Sequence, residues 1–146
     1  WFISNLAAVS YKQLVTEQAL SGFKIADLMR THFESVAAGM PLSDFVHNYL
    51  LRSNQRLWPV TNGKQLVGAI SLNQISHLPK ENWAHLSLEE AMSSLATLET
   101  LDPRLSAKEA IETLIKAGDE PMMVVQDGKV LGLVQHADVI KWLALN

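Results

Sequence analysis

The chain has 146 residues, 48% of them apolar and 18% charged, so it can bury a real core and is not of disordered composition. Its net charge of −3 gives no basic footprint for nucleic acid, and the absence of cysteine excludes a disulfide framework and a thiolate metal site. No apolar run approaches the roughly 18–20 residues of a membrane-spanning helix, and there is no signal-peptide pattern. The first residue is Trp1 rather than Met, which reads as excision from a longer protein whose catalytic residues lie elsewhere.

Trp1–Leu20 reads as a helix, because Ile3, Ala7, Tyr11 and Leu14 recur at spacings of three or four. Two readings stay open: a helix packed on the core, or the tail of a membrane-proximal segment. Ser21-Gly22 stops it. Phe23–Arg30 is a short helix and Phe33–Val36 a strand. Ser43 is placed to cap a helix that turns Phe45, Val46, Tyr49 and Leu50 inward and ends at Ser53-Asn54. Leu57–Ile75 reads as strand, Asn62-Gly63 turn, strand and short helix, and Pro79–Asn82 as a linker. Ser87 with Glu90, and Ser106 with Glu109, have capping-box spacing. Thr97–Leu101 is a strand and Asp102-Pro103 a turn. Ala107, Ala110, Ile111, Leu114 and Ile115 form one face of a helix that Gly118 ends. Pro121–Leu143 repeats the earlier unit: strand, Asp127-Gly128 turn, strand and helix.

The chain is therefore a duplication. Asn62-Gly63 matches Asp127-Gly128, Gly68 matches Gly132, and Ile25–Met29 matches Leu88–Met92, at offsets of 63 to 65 residues. The expected fold is α/β, of the α+β kind: two β-α-β-β-α repeats packed about a pseudo-twofold axis, with an extra N-terminal helix. The expected units are residues 1–22, 23–79 and 80–146. Neither repeat alone buries enough apolar surface, so the halves should pack face to face.

Leu105–Ala110, Met123–Val125 and Asp127–Val134, with Trp58–Val60 and Leu66–Ser71 in the first copy, resemble a tandem pair of CBS domains over about residues 25–143. Trp1–Met29, through Ala7-Ala8, Ser10-Tyr11, Gln13 and Leu20–Gly22, resembles the segment joining the last membrane helix to the CBS pair in bacterial site-2-protease-like zinc metalloproteases. The resemblance implies a regulatory tail on the cytoplasmic face of a membrane, an expected homodimer, and zinc only in a catalytic domain outside this chain.

Chemistry within the chain reads as binding, not catalysis. His-Glu-x-x-His is absent, the five histidines show no metal-ligand pairing, and there is no phosphate loop or nucleophile elbow. CBS pairs commonly hold adenine nucleotides (AMP, ADP or ATP) through Ser/Thr-x-x-Asp at the junction of last strand and last helix. The hydroxyl would meet phosphate and the carboxylate would accept from the ribose hydroxyls. The matching positions are Ser71 and Gln74 in the first repeat and Gln135 and Asp138 in the second, so each has half of the pattern. His136 and Lys141 are candidates for positive charge beside Asp138. The alternative is structural, with Ser71 capping a helix and Asp138 serving a first helical turn. At the level of the whole protein, a nucleotide sensor of a transporter, channel or stand-alone signalling protein remains open, as does a dimerisation domain.

Overall fold

The computed structural model describes residues 20–145 of the chain. The helix expected over Trp1–Leu20 lies outside them except for its last residue, and Leu20 is buried in a core. Helix α1 (Ile25–Leu28) leads to strand β1 (Val36–Ala37), α2 (Leu42–Asn48), β2 (Leu57–Asn62), β3 (Gln65–Ser71) and α3 (Leu72–Ser76). The second copy follows as α4 (Leu88–Ala91), β4 (Ser93–Ser94), α5 (Ala107–Ala117), β5 (Met122–Gln126), β6 (Lys129–Val134) and α6 (His136–Leu145).

The two hairpins share a register. Val60 faces Gly68 and Val124 faces Gly132, and in each hairpin an irregularity follows directly. Their turns differ. The second is Asp127-Gly128, with both residues at positive φ (54° and 74°), the sign pattern of a type I′ turn. In the first, Asn62 pairs with Gln65, so the turn is Gly63-Lys64, with only Gly63 at positive φ among the two, as in type II′. The expected equivalence of Asn62-Gly63 with Asp127-Gly128 is thus off by one residue. Gly63 is the counterpart of Asp127.

Each repeat gives its lead segment to the other half. Strand β4, which opens the second copy, pairs with β3 of the first, and Leu88 of α4 is fully buried among Trp58, Phe45 and Ile70. Arg30 in turn bridges Leu133 on β6, and Ile25 is fully buried beside Val124, Val134 and Leu114. The lead helices dock through equivalent bonds: Ile25 N–H donates to Leu105 C=O (2.8 Å) and Leu88 N–H to Met40 C=O (2.9 Å). Leu57, Leu66, Ala69, Met123 and Leu133 form a third cluster, where the two sheets meet.

Two expected strands shrink. Phe33–Val36 becomes a strand only at Val36, because Gln55 takes both backbone groups of Glu34. Its Oε1 accepts from Glu34 N–H (2.9 Å), and its Nε2 donates to Glu34 C=O (2.9 Å). Thr97–Leu101 gives a 3-10 turn at Leu95–Thr97 and one parallel bridge, Leu101 to Val124. Helix α2 starts at Leu42 rather than behind a Ser43 cap, since Leu42 N–H is already satisfied by Leu86 C=O (2.8 Å). Ser87 and Glu90 form the full capping box, but Ser106 and Glu109 form half of one, the Glu109 carboxylate accepting from the Ser106 hydroxyl instead of the backbone.

The turn before α5 carries a titration signature. Asp102 Oδ1 accepts from Arg104 N–H (2.8 Å) and Nε (3.0 Å), and Oδ2 accepts from an Arg104 terminal nitrogen (2.8 Å). The side-chain bonds to Arg104 first, then its backbone N–H, lower the Asp102 pKa from 3.8 to about 2. A carboxylate depressed in the folded state contributes stability above its unfolded pKa and loses it as pH falls through the folded value. The Asp102 carboxyl carbon is expected to titrate near pH 2 by NMR, and higher in Arg104→Ala, part of the way to the ordinary value because the backbone N–H of residue 104 still donates. A wild-type midpoint near 3.8 would show that the pair does not hold in solution.

Candidate functional site

The exchange of lead segments leaves two clefts, each at the junction of a hairpin's second strand with the helix that follows. The first is walled by Leu57, Ala69, Gln74, Ser93, Glu99 and Lys116 and encloses about 380 Å³, with an adjoining hollow of about 270 Å³ at Arg56, Ser71 and Asp119. The second is walled by Arg30, His32, Phe33, Gln55, Gln135 and Asp138 and encloses about 190 Å³. Pro121 lies in the wall of both.

In the first cleft Ser71, Gln74 and Ser93 are committed to one another. Ser71 is the N-cap of α3 and only 1% exposed, and its hydroxyl accepts from Gln74 N–H (3.2 Å). The Gln74 side chain reaches back, its Oε1 accepting from Ser71 N–H (2.9 Å) and its Nε2 donating to Ser93 Oγ (2.6 Å). The Ser71–Gln74 turn itself carries no carboxylate, and the surrounding walls are of mixed charge, with Glu99, Asp119 and Glu120 beside Arg56 and Lys116.

The second cleft holds the opposite half of the pattern. Asp138 stands in the first turn of α6, where its Oδ2 accepts from Gln135 N–H (2.9 Å), as Gln74 does for Ser71. Its Oδ1 accepts from Arg30 Nε (3.2 Å) and from an Arg30 terminal nitrogen (2.9 Å). Gln135 donates from Nε2 to Asp119 C=O (2.7 Å), which ties the wall to the end of α5. The positive charge beside Asp138 is Arg30, where His136 and Lys141 had been the sequence candidates. His136 is half-buried two residues before Asp138, Lys141 is exposed one turn on, and neither lines a cleft.

Thus Gln135 and Asp138 share one cleft and Ser71 and Gln74 the other. Arg30, Gln55 and His32 were missed, yet a signal existed: Met29 and Met92 are matched by the duplication, which puts Arg30 where Ser93 stands in the first cleft. Among the described residues no group of three His, Asp or Glu is placed to hold a metal ion, and no helix is long and apolar enough to cross a membrane.

A duplicated α/β unit with exchanged lead helices and two junction clefts defines a tandem module of two like halves. The sequence profile of the CBS domain matches residues 25–81 and 88–145, and the chain belongs to the CBS domain family as a tandem pair. It is similar to the CBS domain of a CBS-domain-containing membrane protein from Sphaerobacter thermophilus, at 19% identity and a TM-score of 0.68 over 92% of this chain and 96% of that one. It is also similar to the CBS domain of a bacterial CNNM/CorC family Mg2+ transporter in complex with ATP (15% identity, TM-score 0.71, 92% and 96% covered). A third similar structure is CBSX2 in complex with AMP (17%, 0.71, 84% and 97%). In sequence it is 23% identical to the candidate zinc metalloprotease sll0528 of Synechocystis sp. (strain ATCC 27184 / PCC 6803 / Kazusa), over 98% of this chain but only 38% of that protein's length.

Proposed function

We propose that this CBS pair is the non-catalytic regulatory module of a membrane-bound, site-2-protease-like zinc metalloprotease, and that its second cleft takes an adenine nucleotide. The observation that carries the ligand is the Asp138 carboxylate, 11% exposed on its side chain, facing a cleft that also holds the Arg30 guanidinium. A carboxylate accepts from two vicinal ribose hydroxyls, and a guanidinium matches phosphate in a fork. The ATP and AMP complexes of similar structures support the ligand class, and the match to sll0528 supports the parent.

Calorimetric titration with AMP, ADP and ATP tests the ligand. Saturable heat is expected, weakened about tenfold or more in Asp138→Ala. Asp138→Gln is the companion variant, since a glutamine at this position can keep the reach-back cap that Gln74 makes in the first repeat. Heat absent for all three nucleotides, or indifferent to both variants, would overturn the assignment. For the parent, a His-Glu-x-x-His helix upstream of Trp1 decides for the protease over a transporter or channel.

A second reading, a dimerisation scaffold, draws on exposed apolar residues. Leu51 and Ile115 occupy matching places in the two halves and are 71% and 55% exposed. A dimer that dissociates in Leu51→Glu/Ile115→Glu while no nucleotide binds would favour it.

A further inference from the structure

Resting on the reading of the second cleft as a nucleotide site, we infer that Arg30 is its specificity-determining residue, a gate that admits phosphorylated nucleosides and holds out the bare nucleoside. The Arg30 backbone is fixed at both ends of its peptide: its N–H donates to Leu133 C=O (2.7 Å) and its C=O accepts from Leu133 N–H (3.0 Å). The side chain, by contrast, is 59% exposed and reaches over the cleft to Asp138. Any change at this residue is therefore a swing of the guanidinium about a stationary main chain.

Asp138 has little capacity left for a diol. Two Arg30 donors converge on Oδ1, and the Gln135 amide occupies one acceptor direction of Oδ2. A carboxylate oxygen has about two lone-pair sites, so a pair of ribose hydroxyls meets one open site unless Arg30 leaves. The volume agrees. About 190 Å³ is smaller than the roughly 300 Å³ at which small-molecule sites begin, and the Arg30 side chain is part of the wall that restricts it.

Displacing the guanidinium costs a charge-assisted contact, and what the ligand offers in return decides the outcome. A 5′-phosphate supplies another anion for a planar fork of donors, so Arg30 exchanges one carboxylate for one phosphate. Adenosine has the same diol and the same base but no anion, and leaves Arg30 without a partner. The first cleft has no such gate: Ser93, a neutral hydroxyl bonded to Gln74, stands at the place equivalent to Arg30.

The test compares AMP with adenosine on the 146-residue chain, in wild type, Arg30→Ala and Arg30→Gln, with thermal melts to confirm folding. Arg30→Gln keeps most of the bulk over the cleft. Wild type is expected to bind AMP at least about tenfold tighter than adenosine. In both variants the ratio should fall towards one, with adenosine bound no more weakly than by wild type because Asp138 is released. An AMP-to-adenosine ratio unchanged in both variants, or both ligands weakened in parallel, overturns the gate while leaving the nucleotide site standing. Failure of wild type and both variants to bind either ligand overturns the site and the gate together.

Discussion

Trp58→Ala is expected to lower the unfolding free energy by about 3–5 kcal/mol, the largest stability loss of any single truncation in the first repeat. Trp58 is fully buried on β2, its ring meeting Phe45 edge-on at 5.0 Å and packing among Val60, Ile70, Ile75 and Leu88. That neighbourhood draws on α2, both strands of the hairpin, α3 and the exchanged helix α4, so the cavity left by alanine touches most of this half's core. Domains of this size hold only about 5–15 kcal/mol in total. Trp58→Phe separates shape from chemistry. The indole Nε1 is buried without a hydrogen-bond partner among the described residues, a cost that phenylalanine removes while keeping an aromatic edge for Phe45. The phenylalanine variant should lose no more than about 2 kcal/mol. Urea unfolding of the two variants checks this. An alanine loss under about 1 kcal/mol would mean that the core does not close around position 58.

The strand that carries Trp58 was legible in the sequence, and why α4 packs on it was not. The turn signal places Trp58 on a strand and the capping box places Leu88 behind a capping serine, because both signals are local. The docking of Leu88 against the preceding repeat rather than the following one is a tertiary choice, made by bonds such as Leu88 N–H to Met40 C=O across 48 residues. The short strands failed for the same reason. Phe33–Val36 has strand composition, but the Gln55 amide substitutes for a neighbouring strand at Glu34. The turn offset between the hairpins was hidden because Asn62-Gly63 is as good a turn sequence as Asp127-Gly128. What decides for Gly63-Lys64 is the pairing register, which keeps Gly68 and Gly132 in matching places.

The site divides along the same line. Asp138 and Ser71 could be found from the resemblance to CBS pairs, since each belongs to a strand-to-helix junction contiguous in sequence. The group that faces Asp138 could not be read from any local pattern, because Arg30 lies 108 residues away and arrives through the segment exchange; its one sequence signal is the matching of Met29 with Met92. The interior of the halves was thus readable from local pattern, whereas the walls of the clefts belong to whichever segment crosses over.

Gly68→Ala tests that crossing directly and is expected to destabilise the protein by about 3 kcal/mol. Gly68 has no positive φ, so its backbone suits alanine, and at a permissive position the substitution would stabilise by about 0.4–1 kcal/mol through the unfolded chain. Here the added methyl would run into the Ser93 carbonyl oxygen and come within 2.9 Å of Met92 Sδ, both on the segment exchanged from the second copy. The backbone oxygen cannot move aside without β4 leaving β3, and with it the Ser93 hydroxyl that holds Gln74. Gly132→Ala is expected to cost less, about 2 kcal/mol, because its methyl meets the fixed Arg30 carbonyl at 2.8 Å, less closely than the Gly68 methyl meets Ser93, and its other contacts are with the flexible Met29 side chain. Gly39→Ala, with nothing within 4 Å, is the control and should be neutral or slightly stabilising. Chemical denaturation should therefore rank the losses as Gly68 above Gly132 above Gly39. A Gly68→Ala protein as stable as wild type would show that β4 is not seated against β3. The first cleft would then lose its Ser93 wall, and the contrast between a gated and an ungated cleft would lose its basis.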